Sequence, residues 1–228
     1  MIMDIVEQFV SKETVVFVTT NAEDDEIPSS DVDIYCVTSC GQSSVHMFYN
    51  DDRLWTELFI DTVADLRNKL AHVDEIAVNF IRELRFASGD RETYEQLLAE
   101  VSQLVKEYRL PPSRKNLLKY RVKTILSKYS NLGENSSLAQ KYFLLNSMSY
   151  PLIQLVLEHH RIFPSSPKRW IGQLRDSIPR DDFEEIDKFL AHRCTNDDAI
   201  RLCAKYAGDL DAVHMEKKAG ENNSTFLS

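Results

Sequence analysis

Apolar positions along this chain keep two rhythms, and the change falls near residue 62. Before it, Met3, Val6, Phe9 and Val10 recur at helical spacing over residues 3–11. Thr14–Val18 is then a short β-branched, apolar run, which predicts a buried strand. Past the polar loop NAEDDEIPSS, the run DVDIYCVT alternates. Asp31 and Asp33 fall on one side of a strand, Val32 and Ile34 on the other. Val45–Tyr49 is a shorter strand candidate. Leu54–Asp61 is a clear strand, with Glu57, Phe59 and Asp61 opposite Leu58 and Ile60.

After residue 62 helical spacing dominates. A short helix is predicted over Asp65–Leu70, and residues 74–87 read either as helix or partly as strand. Tyr94, Leu97, Leu98, Val101, Leu104, Val105 and Tyr108 form the apolar stripe of an amphipathic helix over 90–108. Pro111 and Pro112 break it. A helix over 113–129 follows, and then a long one capped at Ser136 or Ser137. That helix, kinked at Pro151, runs to about His160 with Tyr142 and Phe143 in a bundle core. Three shorter helices follow, over 169–177, 181–192 and 196–207. The predicted fold is therefore α+β. It places a small mixed sheet with flanking helices in residues 1–88, a helical bundle in 89–212 and a frayed polar tail in 213–228.

Composition removes several function classes. The chain carries 36 acidic and 27 basic side chains, a net charge of −9, which is not built to coat nucleic acid. No apolar run approaches the roughly 20 residues of a membrane span. The opening MIMDIVEQFVSKE has acids within its apolar pattern and no basic segment before it, unlike a secretion signal. Cys36, Cys40, Cys194 and Cys203 show neither the density of a disulfide scaffold nor the close pairing of a zinc site. Reduced thiols and a cytoplasmic location are expected, with neither nucleic acid nor membrane as partner.

The carboxylates carry the chemistry. Asp31 and Asp33, two apart on a strand, project from one face. Hard oxygen ligands on a rigid strand suit Mg²⁺, which keeps waters and bridges to phosphates. If the strand holding Glu57 lies beside them, three carboxylates share one site. That set serves phosphoryl or nucleotidyl transfer, with carboxylates for the metal and one to take a proton from an attacking hydroxyl. Asp61, two steps on from Glu57, is the reserve for that base. Trp55 shares the Glu57 face, either packed in the core or free to stack on a base or acceptor.

With buried strand, polar loop, Ser30-Asp31-Val32-Asp33 and then WTELFID in order, the chain resembles the nucleotidyltransferases of the DNA polymerase β-like superfamily. It is most similar to the small aminoglycoside and lincosamide nucleotidyltransferases and related bacterial proteins. Their pattern is a strand, Gly-Ser, a loop, Ser/Thr-Asp-x-Asp on a strand and an acid on a later strand. The stretches YRLPPSRKNLLKYRV and RIFPSSPKRW look like the helical domain of those relatives, so the resemblance covers residues 3–180.

The resemblance implies a nucleotidyltransferase-like sheet domain followed by a helical domain. It implies Mg²⁺ on Asp31, Asp33 and Glu57, with Glu57 also as general base. Nucleotide contacts would come from Thr19, Thr20, Ser30 and Lys168. The implied reaction moves a nucleoside monophosphate, AMP from ATP, to a hydroxyl of a small molecule such as an aminoglycoside-like antibiotic. One departure stands out: Thr19-Thr20 replaces Gly-Ser. Thr20 keeps a hydroxyl, but Thr19 adds a branched side chain where Gly lets the backbone approach a triphosphate. That departure supports a second reading, a non-catalytic nucleotide-binding or regulatory, antitoxin-type protein on the same fold. Seven basic residues and no acid between Tyr108 and Gly133 either shape a polyphosphate pocket or solvate a helix face.

Overall fold

The alternating and continuous apolar runs of the first part become one five-stranded mixed sheet. The structure is a computed structural model that describes residues 2–22, 31–49, 55–133 and 136–208. Ser30 and the tail after 208 lie outside the described residues. The strands are β1 (Val15–Thr20), β2 (Val32–Thr38), β3 (Ser44–Tyr49), β4 (Trp55–Thr62) and β5 (Arg85–Gly89), in the order β3-β4-β2-β1-β5. β2 and β4 run parallel, and every other neighbour pair is antiparallel.

Side-chain parity sorts the two faces. Val18, Val32, Ile34, Cys36, Leu58 and Ile60 pack on one face with Ile5 and Val6 of α1 (Ile2–Val6). Phe17, Tyr35 and Val37 pack on the other. There they meet α2 (Val63–Ala71), α3 (Glu75–Glu83) and α4 (Arg91–Glu107), which supply Leu66, Val78, Ile81, Leu97 and Val101. Apolar cover on both faces explains why β2 is buried at nearly every position rather than at alternate ones.

Two local expectations change. The helix predicted over 3–11 stops at Val6, and the Phe9 ring instead lies 4.3 Å from His46 and 5.5 Å from Phe48 of β3. The ambiguous run 74–87 divides in two. Asp74 caps α3 by accepting from the Ala77 amide at 2.9 Å, and Leu84, in extended conformation, turns the chain into β5.

The chain forms two compact units. The first runs to Tyr108 and also takes in Phe163–Trp170. It extends past residue 88 because α4 lays Tyr94, Leu97 and Val101 into the core of the sheet. It regains the later segment because Phe163, 3% exposed, joins the same core and meets the Tyr108 ring edge-on at 4.9 Å. Asn79 of α3 donates to the Pro164 carbonyl at 3.1 Å, and Arg169 pairs with Glu83 at 3.2 Å.

The second unit is helical. It holds α5 (Pro112–Ser130), α6 (Leu138–His159), most of α7 (Trp170–Ser177), α8 (Arg180–Leu190) and α9 (Asn196–Ala207). Pro112 sits in the first turn of α5, where its missing N–H costs nothing. Ser137 and Gln140 form a capping box at the start of α6. Residues 151–157 of α6 are all buried, so this half is enclosed on every side. Tyr142 and Phe143, expected in the core, belong to the other half and are 43% and 71% exposed.

Gly89 marks the tightest backbone approach in the sheet. Its φ is +103°, and a Cβ there would sit 2.3 Å from the Val16 carbonyl oxygen. Gly89→Ala should destabilise the protein by about 2 kcal/mol or more. Gly133→Ala, where a Cβ meets nothing within 4 Å, should be close to neutral. Chemical denaturation of both variants checks the contrast.

Candidate active site

Register brings the predicted carboxylates together. β2 and β4 are parallel neighbours with Asp33 opposite Glu57, and both residues share a face with Tyr35 and Phe59. Adjacent strands lie about 4.8 Å apart, so the two carboxyl stems stand side by side. Asp31 immediately precedes β2. Across the sheet the row continues to Met47 of β3, which pairs with Glu57, and to Asn21 at the end of β1.

Asn21 is the residue that sequence reasoning missed. Its side-chain amide donates to the Asp33 carboxylate at 3.0 Å and to the Asp31 carbonyl at 3.1 Å. Its side-chain oxygen accepts from the Asp33 backbone N–H at 2.8 Å. One side chain thereby fixes both the backbone and the carboxylate at the start of β2. Nothing in the pattern marks it, because an Asn leaving a strand is ordinary turn chemistry.

Lys168 supplies the cation. Its ammonium lies 3.4 Å from Asp33 Oδ2 and 3.6 Å from Asp31 Oδ1. The ion pair joins residues 135 apart in sequence, and it forms because Phe163–Trp170 packs on α3 in the same unit. The Trp170 indole N–H donates to the Ser165 carbonyl at 2.7 Å and braces the turn that carries Lys168. Burial pushes the Asp33 carboxyl above its ordinary value; Lys168 opposes that shift, while the nearby Asp31 and Glu57 add to it.

Glu57 is held differently. Its Oε1 accepts from the Trp55 indole N–H at 3.1 Å. Trp55 is 37% exposed, its ring edge-on to Tyr49 at 5.1 Å, so it flanks the carboxylate and is not a core residue. Asp61 is no reserve for the base. It is 3% exposed, bound by Lys69 through both oxygens at 2.8 and 2.7 Å, and accepts from the Tyr35 hydroxyl at 2.9 Å.

The threonines do not open toward a ligand. Thr19 and Thr20 are both 0% exposed. The Thr20 hydroxyl donates to the Asp33 carbonyl at 2.8 Å and accepts from the Ala22 N–H at 3.1 Å. It braces β1 against β2 instead of facing phosphate. Thr19 shares its face with Asn21 and keeps a buried hydroxyl with no partner. Part of the basic run of α5 is also accounted for. Lys115 pairs with Glu158 at 3.1 Å, and Lys123 is 8% exposed.

Among the described residues no set of three or more His, Cys, Asp or Glu is arranged to hold a metal ion. Of the expected trio, Glu57 is held by the Trp55 indole N–H. Asp31 and Asp33 do converge on one cation, the Lys168 ammonium. Two hard oxygen donors meeting at a common positive charge fit a Mg²⁺ that keeps most of its waters.

No family model matches the chain, and no curated protein matches it. Among solved structures, it is similar to a nucleotidyltransferase-like protein from Exiguobacterium sibiricum 255-15. The TM-score is 0.43 at 14% identity, over 91% of this chain and 72% of that one. At that TM-score the likeness decides nothing, and the reading of the site rests on its own residues.

Asp33→Asn keeps an acceptor for Asn21 and removes a desolvated charge beside two other acids. At pH 7 the variant should match or exceed the parent, by no more than about 2–4 °C in Tm. The folded-state pKa of Asp33 is raised, so its charged form costs stability above that pKa. The advantage of Asn should therefore fade as pH falls through the raised value toward 3.8. Thermal melts from pH 3 to 8 measure this.

Proposed function

We propose that this protein is a Mg²⁺-dependent nucleotidyltransferase that moves AMP from ATP to a hydroxyl of a small molecule, an aminoglycoside-like antibiotic being one candidate. The observation that carries the reading is the convergence of Asp31 and Asp33 on one cation, with Glu57 in register on the adjacent strand. The sequence resemblance to small nucleotidyltransferases supplies the reaction class. Asp31 and Asp33 are the residues to hold Mg²⁺, which when bound neutralises charge on the triphosphate. Lys168, half-exposed and already at the carboxylates, is placed to pair with phosphate oxygens in exchange for them.

Glu57 takes the proton of the acceptor hydroxyl. The acceptor oxygen forms its bond to the α-phosphorus, the bond to the bridging oxygen breaks, and pyrophosphate leaves with the electron pair. Trp55 holds the Glu57 carboxylate in place through its indole N–H. Thr19 and Thr20 have no phosphate role in this scheme, since both are buried.

One observation favours a second reading. With the Thr20 hydroxyl spent on backbone groups, the strand end that holds Gly-Ser in the resembled family offers no side-chain donor to a triphosphate. A nucleotide-binding protein without turnover, regulatory or antitoxin-like, has that property too. The two readings agree on binding and differ in turnover. Under both, ATP with Mg²⁺ should raise Tm, and Asp33→Asn should lose the Mg²⁺-dependent part of the shift.

Pyrophosphate release with an acceptor panel belongs to the first reading alone. There, Glu57→Gln should lower turnover by about 10²–10⁴ while ATP affinity changes little. Parent-level turnover in Glu57→Gln removes the base from this residue. Absence of any ATP shift in the parent sinks both readings.

A further inference from the structure

A cleft opens on the same face of the sheet as the carboxylate row. One step deeper on the same face of the sheet, Val45, Phe59 and Tyr35 stand opposite one another on β3, β4 and β2. α3 covers them incompletely. The Phe80 ring lies 4.6 Å from Phe59 and 5.0 Å from Tyr35, while Ile76 stays 61% exposed. Between β3 and α3 this leaves an open cavity of about 170 Å³. Its apolar walls are Val45, Phe59, Ile76 and Phe80, and Ser43, Ser44, Asp61 and Lys69 also line it.

These features have the chemistry of a ring seat. An apolar cavity of about 150 Å³ is enough to take benzene. Aromatic side chains on two walls favour a flat ring through offset or edge contacts. The Asp61–Lys69 pair in the lining is polar but neutral. Asp61 is saturated by Lys69 and the Tyr35 hydroxyl, which leaves the third ammonium proton of Lys69 as the donor on offer. Glu57 and Phe59 are two residues apart on β4, roughly 7 Å along one face. A ring over Phe59 with a hydroxyl on its outer side therefore directs that hydroxyl along β4 toward Glu57. Trp55, Tyr49 and Met47, farther along β4 and β3, are all exposed.

We infer that this cleft binds a flat, weakly polar ring that carries a hydroxyl, and that such a phenol-like molecule is the acceptor class of the site. The acceptor role rests on the nucleotidyl-transfer reading; the ring seat does not. Phenol-like acceptors thus stand ahead of the polycationic antibiotics, because the large side chains of the cleft are apolar and its carboxylate, Asp61, is already paired with Lys69.

The test uses 4-fluorophenol as probe and the full chain. Fluorine line broadening on titration should show a Kd on the order of 1 mM, the range for so small a ligand. Val45→Trp and Ile76→Trp fill the cleft from exposed positions and should each weaken binding at least tenfold, whereas Leu138→Trp, at an exposed position outside the cleft lining, should retain it. If a filled variant misfolds, nuclear Overhauser transfer from Ile76 and Phe80 to the probe in the parent decides the question. No broadening in the parent, equal broadening in the filled variants or no transfer from those two residues overturns the seat. So does sedimentation showing a dimer that Val45→Trp dissociates, since a second copy would then cover the cleft. ATP binding is scored separately by Mg²⁺-dependent thermal shift. ATP binding without probe binding removes only the ring seat. Probe binding without ATP binding keeps the seat and removes its role as an acceptor site.

Discussion

A desolvated carboxylate at the start of β2 is the constraint on which the site depends. Asp33 has a raised pKa because burial and two neighbouring acids oppose its charge. It is kept in place by Asn21 from β1 and by Lys168 from a segment 135 residues on. Buried charge without partners is costly, so each partner is also a structural demand on the fold. The demand from Asn21 is met by the antiparallel β1–β2 pair. The demand from Lys168 is met when Phe163 enters the sheet core and carries the later segment back to α3.

The parallel β2–β4 pairing then sets the chemistry. It puts Glu57 beside Asp33 in register, and β-strand parity puts Phe59 and Asp61 in line behind it. One strand face thus passes from an accessible base, through an aromatic floor, to the buried Asp61 paired with Lys69 of α2. The same parity sends Leu58 and Ile60 to the opposite face, where α1 covers them. A slip of one residue in this register would bury Glu57 and expose Leu58.

Much of this was legible in the chain itself, for physical reasons. The strand runs and helical stripes have strong periods, and Asp31, Asp33 and Glu57 sit at spacings that parity alone resolves. The resemblance pointed to Lys168, and the structure places it at the carboxylates. Other features depended on pairing that no local pattern encodes. Thr20 looked like a phosphate ligand because its hydroxyl is visible in sequence, while the Asp33 carbonyl that captures it is not. Asn21 was overlooked for the converse reason. Helical period marks α4 as a helix without saying which core it joins, and Tyr94, Leu97 and Val101 join that of the sheet. Tyr142 and Phe143 lie on α6 near its start, where the apolar stripe continues although burial does not.

The chemistry at this sheet edge turns on whether Asp31 and Asp33 form a seat for a cation, shared between Lys168 and Mg²⁺. Carboxyl-carbon NMR of Asp33 across a pH titration answers that, in the parent with and without Mg²⁺ and in Lys168→Met. The expected result is an Asp33 pKa above the ordinary 3.8 in the parent, lower when Mg²⁺ is added and higher in Lys168→Met. An Asp33 pKa that responds neither to Mg²⁺ nor to the loss of Lys168 would rule out the shared seat.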